Sequence, residues 1–207
     1  MNRYPSLLIH STFNRMLCVF VWVLCGLMLV SAGFGGIEPL VRSAPVIALA
    51  AYFAWLALWR PYLSVIDDAV VLGNVFRTIT VPWQALIHVD TKFALTLVTP
   101  RGRFAAWVAP APGAFTTRRL ARQSRKSADP ADGELRPQDP GIATGDLAGS
   151  DSGDAARVIR QRWTAQLEAG VVEAGQADST PVTVAWQFTP LVVTAVLAAL
   201  TVVAVVV

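Results

Sequence analysis

Three stretches of this 207-residue chain carry no charged side chain over about the thickness of a bilayer, and that absence limits the fold more than any motif does. They run from Met16 to Gly35, from Ser43 to Trp59 and from Phe188 to Val207. A helix rises ~1.5 Å per residue, so ~20 residues cross ~30 Å of hydrocarbon. In lipid a run this long must satisfy its own backbone, which an isolated segment does as a helix. The expectation is a membrane protein with three transmembrane helices, at 16–35, 43–59 and 188–207. Pro45 suits a first helical turn, and Trp55, Trp59 and Arg60 mark the second helix's interfacial end. A cleaved signal peptide is the rival for the first run, since Ser31, Ala32 and Gly33 are small. The length of the run and the span that follows it favour an anchor.

The chain is 54% hydrophobic and 15% charged, against ~25% charged in a soluble domain, and the deficit sits in those runs. A net charge of +3 is too weak to argue for nucleic acid. Its placement says more. Arg3 and Arg15 lie in the N-terminal segment 1–15 and Arg60 follows the second run, whereas only Arg42 lies between the first two. The N-terminus and the large segment after span two are therefore expected in the cytoplasm, with the C-terminus outside. Cys18 and Cys25 are separated by ~10 Å along a helix, too far for a disulfide, and read as small apolar fillers.

Residues 60–109 alternate with a period of two between turn signals. Leu63–Ile66 and Val70–Leu72 flank an Asp67-Asp68-Ala69 turn. Gly73-Asn74 turns again into Val75–Val81, with Ile79 and Val81 on one face. Pro82-Trp83 interrupts. Leu86–Asp90 follows, with Ile87 and Val89 inward and His88 and Asp90 outward. Phe93, Leu95 and Leu97 alternate next, and Pro100-Arg101-Gly102 turns into Phe104–Val108. About six short strands in sequence imply antiparallel hairpins. A sheet with one apolar face must be covered. The cover is a helix at 154–170, started by Ser152 or Asp154, striped by Ile159, Trp163 and Leu167 and stopped by Gly170. Segment 110–153, rich in Pro, Gly, Ala, Ser and Asp, reads as a disordered insertion.

Trp59-Arg60-Pro61, Asp67-Asp68-Ala69-Val70-Val71, Asn74 followed by Arg77-Thr78, and Val81-Pro82-Trp83-Gln84 resemble bacterial pleckstrin-homology-like (PH-like) domains of actinobacterial membrane proteins, of the low-molecular-weight antigen type. The resemblance covers Trp59 to Val108 and, loosely, the helix. It implies a bent antiparallel sheet closed by a C-terminal helix. The long insertion and the third span depart from the pattern. Members of the wider fold bind phosphoinositides through basic residues at the first hairpin, but here Asp67-Asp68 would repel phosphate.

No residue pattern points to catalysis. Adjacent Asp67 and Asp68 form a turn, not a dyad. His10 and His88 have no clustered metal ligands, and no nucleophile–base spacing stands out. Gly33-Phe34-Gly35-Gly36 precedes no phosphate-cradling turn. The expectation is a non-enzyme without cofactor, metal or small-molecule substrate, holding a module at the membrane for a protein partner. Arg101 and Arg103 in one hairpin are candidate contacts. The alternative is a module that senses anionic lipid through Arg118, Arg119, Arg122, Arg125 and Lys126, each cation worth ~1 kcal/mol at a charged leaflet.

Overall fold

The computed structural model describes residues 6–91, 94–110, 151–172 and 177–206. Helix α1 spans Thr12–Phe34 and starts four residues before Met16, because Ser11 caps it: the Ser11 side chain accepts from the Asn14 amide at 3.3 Å. Gly36, at a φ of 107° open to glycine, turns the chain straight into α2, Ile37–Ala54. The sequence pattern placed this start at Ser43. The helix instead takes Pro39 into its first turn and carries Pro45 in its interior, where the missing N–H costs one backbone bond. Glu38 and Arg42, expected in a loop, pair on the helix surface at 3.2 Å. The last five residues, Trp55–Trp59, wind as a π-helix whose closing bond runs from Arg60 N to Trp55 O at 3.0 Å. Helix α1 and the 23-residue run Ile37–Trp59 are each long and apolar enough to cross a membrane.

The hairpin residues form two antiparallel sheets. Strands β2 (Tyr62–Val65), β3 (Ala69–Gly73) and β4 (Arg77–Pro82) build the centre of the first. Strands β5 (His88–Asp90), β6 (Ala94–Thr99) and β7 (Gly102–Pro110) build the second. A short 3-10 turn at Trp83–Ala85 passes the chain from one to the other. Trp83 is buried there, and its indole N–H donates to the Ile66 carbonyl at 3.2 Å. Val89 faces the core as expected, but Ile87 is 45% exposed. It lies before β5 begins, so the strand alternation does not govern it.

Two strands in the first sheet lie outside the expected domain. Strand β1, Leu7–Ile9, precedes α1 and pairs with β2, Leu7 opposite Val65 and Ile9 opposite Leu63. Strand β8, Thr183–Trp186, pairs with β4, Arg77 opposite Trp186. The order is β1-β2-β3-β4-β8, so both outer strands are supplied by segments adjoining apolar helices. Helix α4, Phe188–Val206, begins two residues after β8. The antiparallel registers put Ile9, Tyr62, Gly73, Arg77 and Trp186 at one end of this sheet. All three passages between sheet and apolar helix therefore occur at that end. Helix α2 packs against α1 on one side and α4 on the other.

The core fills the space between the sheets with Leu63, Val65, Val70, Leu72, Ile79, Val81, Leu95 and Leu97, all fully buried. Helix α3, Asp151–Glu168, lies against β5, β6 and β7. Ile159 is fully buried, and Trp163 and Leu167 lean on the same core, as the four-residue stripe requires. The off-stripe side chains bind carbonyls of both sheets. Arg160 donates to Val89 O at 2.9 Å, Arg162 to Val65 O at 3.2 Å and Gln166 to Asp67 O at 2.6 Å. Gly170, at φ 68°, ends the helix, and Val171 N returns to Gln166 O at 3.0 Å.

Candidate functional site

Candidate residues gather in two places on this scaffold: the outward face of the small sheet, and the end of the large sheet where the helices leave. The first follows from strand alternation. Register places His88, Val98 and Arg103 in one cross-strand row and Asp90, Thr96 and Ala105 in the next. Their inward neighbours Val89, Leu97 and Ala106 fill the core, so the rows face outward. Arg103 and Asp90 pair diagonally at 3.6 Å with 67% and 31% of their side chains exposed, a surface pair worth at most ~1 kcal/mol. Arg101 is exposed at the adjoining turn. The structure thus brings the two hairpin arginines to one edge of this face. Arg118, Arg119, Arg122, Arg125 and Lys126 lie outside the described residues.

A side chain occupies the edge of β7 that faces away from β6. The Asn74 amide donates through Nδ2 to Ala105 O at 2.9 Å and accepts at Oδ1 from Trp107 N at 2.9 Å. It does for β7 what a neighbouring strand would do, and it fastens the small sheet to the β3–β4 turn. Trp107, 56% exposed, then donates its indole N–H to Ala57 O at 2.8 Å. Ala57 lies in the final turn of a helix, where carbonyls lack intrahelical donors. The sequence marks Asn74 only as a turn residue; its second role depends on a strand 31 residues away.

At the helix end of the large sheet, aromatic rings and cations gather. Trp22 of α1 stacks on Trp59 with centroids 5.8 Å apart, and its N–H donates to Ala51 O at 3.1 Å. The Arg15 guanidinium sits 5.2 Å from the Trp59 ring centroid, a cation–π distance. Arg60 donates to Val75 O at 2.8 Å. His10 lies 3.3 Å from Pro61 O and edge-on to Tyr62. Gln187 fixes the start of α4 through its amide to Phe76 O at 2.8 Å and its side chain to Thr78 Oγ1 at 2.6 Å. Tyr52 reaches Pro190 O at 3.3 Å.

Asp67 and Asp68 occupy the β2–β3 turn, closed by Ile66 N to Ala69 O at 3.0 Å. Among the described residues no three His, Cys, Asp or Glu side chains converge as metal ligands. Cys18 and Cys25 are both buried and unpaired by disulfide. No family model, no curated protein and no solved structure matches the chain, so its own geometry carries the functional argument.

Proposed function

We propose that the chain is a non-catalytic, membrane-anchored interaction module: three helices cross the bilayer and hold a PH-like domain against its cytoplasmic face, where the domain binds a protein partner. One observation carries the anchoring. Of the 23 residues of α1 only Asn14, Cys18 and Cys25 are buried, while Phe13, Met16, Phe20, Leu27, Met28 and Val30 are each 59% exposed or more. A helix apolar all round is stable only where something apolar surrounds it, and neither α2 nor the sheets do so here. Helix α4 repeats the pattern, with Val192, Val202 and Val203 each about 60% exposed.

The PH-like reading is supported by two antiparallel sheets packed over one core and a following helix laid against the second. In this reading β1 is the first strand of the domain and the α1–α2 hairpin is inserted between it and β2. The cytoplasmic orientation is supported by Arg15 and Arg60 on the domain side, against Arg42 on the other. The outward face of the small sheet, edged by Arg101 and Arg103, is the proposed partner surface.

A photo-crosslinking residue placed at position 101 or 103 of the full chain in cells tests this. Position 68, on the opposite turn, serves as control. The expected result is a discrete adduct from 101 or 103, absent from 68, recovered in the carbonate-resistant membrane fraction. No adduct above the control counts against the partner surface, and a chain extracted by carbonate counts against the anchor.

A further inference from the structure

We infer that the helix end of the large sheet is a binding site for the phosphate of anionic lipid headgroups, formed by Arg15, Arg60 and Arg77. This rests on the reading that α1 and α2 cross a bilayer. The three arginines come from separate elements: the first turn of α1, the residue after the π turn, and the start of β4. The fold links them in series. Arg15 lies over Trp59; Arg60 is the next residue and bonds Val75 O; Val75 precedes Arg77 in the β3–β4 turn; and Arg77 is paired with Trp186, just before α4. They therefore ring the level at which all three helices enter.

Charge at this level is of one sign. Residues 6–16, 55–64, 73–80 and 183–190 form this end and include no Asp or Glu. The carboxylates of Asp67 and Asp68 lie at the other end of the same sheet. Arg42–Glu38, Arg103–Asp90 and Arg157–Asp154 are ion pairs among the described residues, and none of them involves these three arginines. The Arg15 Nε is buried without an acceptor, so its charge is met mainly by a ring face. Arg60 uses one N–H of its five on Val75, and Arg77 is exposed. Phosphate oxygens are the acceptors that a guanidinium fits best, and the headgroup layer delivers them at this depth. Exposed Trp186 and Trp107 stand at the same end, where amphipathic rings favour the interface. The position commits the site to lipid phosphate rather than a free anion.

The test uses the full chain in phosphatidylcholine vesicles containing a minor fraction of phosphatidylglycerol, with one lipid or the other brominated. Quenching of tryptophan fluorescence then reports which lipid adjoins Trp22, Trp59 and Trp186. Brominated phosphatidylglycerol is expected to quench more than its mole fraction predicts. The preference should fall by up to about fivefold per cation, the factor equal to ~1 kcal/mol, in Arg15→Gln/Arg60→Gln/Arg77→Gln. The triple Lys variant should keep most of it. Arg77→Gln alone, at an exposed side chain, should lower it in part without disturbing the fold. Equal quenching by the two lipids, or a preference indifferent to both Gln variants, overturns the site while leaving the helices in lipid. Competition by millimolar inorganic phosphate overturns the assignment to lipid. Quenching by neither lipid overturns the membrane reading itself.

Discussion

Replacing Asn74 by Ala removes the two side-chain bonds that tie β7 to the β3–β4 turn. Ala105 O and Trp107 N would each lose a partner at 2.9 Å. A net hydrogen bond contributes ~0.5–1.5 kcal/mol, so the pair is worth ~1–3 kcal/mol. Both groups lie on the exposed face, where water replaces part of the loss, so the lower half of that range is expected. The effect should be local. Hydrogen exchange of the full chain in detergent, resolved to single amides, should show Trp107 exchanging ~5- to 20-fold faster, while Leu72 and Ile79 in the large sheet keep their protection. Asn74→Asp is the sharper variant. It keeps an acceptor for Trp107 N but sets a second oxygen against Ala105 O, so it should cost at least as much as Ala. Unchanged exchange at Trp107 in Asn74→Ala would refute the view that this side chain stands in for a strand.

Gly73→Ala should destabilise the domain by ~1–3 kcal/mol, because its Cβ would overlap the Tyr62 ring directly across the β2–β3 pair; near-UV thermal unfolding checks this, and Tyr62→Ala should relieve it. Ile159→Ala, at a fully buried position of α3, should cost ~2–5 kcal/mol and make residues 151–168 preferentially sensitive to protease. Trp107→Phe keeps the ring but loses the bond to Ala57 O, so a loss near ~1 kcal/mol is expected by denaturant titration in detergent. Maleimide should leave Cys18, fully buried, unlabelled in the folded chain and label it after denaturation.

The parts of this fold that repeat locally could be read from the residues in advance. The charge-free runs, the hairpins between Tyr62 and Val108, and the Ile159-Trp163-Leu167 stripe each announce themselves within one element. What escaped depends on partners distant in sequence. Leu7–Ile9 and Thr183–Trp186 are too short to show alternation, and β8 is exposed at every position, so no burial pattern marks it. The π turn at Trp55–Trp59 is composed of ordinary helix formers. At the candidate site, Arg101 and Arg103 are legible because one hairpin holds them both. Arg15, Arg60 and Arg77 are 17 to 62 positions apart, and only the registers that link β1 through β2 and β3 to β4 bring them to one level. Asn74 carries a turn signal strong enough to hide its tertiary role.

The placement of β1 and β8 dictates an order of assembly. Leu7 is opposite Val65 and Ile79 opposite Val184, so the first strand must wait for distant chain before it can pair, and the outer edge of β4 must wait for the last strand. During synthesis the first strand stays idle while both following helices are made and only then meets its mate; the last strand docks when the final helix is about to begin. Contacts between such remote residues form slowly because loop closure precedes any gain. A fragment cut from Tyr62 to Gly170 to obtain a water-soluble product would leave β2 and β4 as bare edges, a recipe for self-association. A fusion joining residues 6–10 ahead of Tyr62 and retaining Thr183–Gln187 would restore both margins without any of the apolar helices.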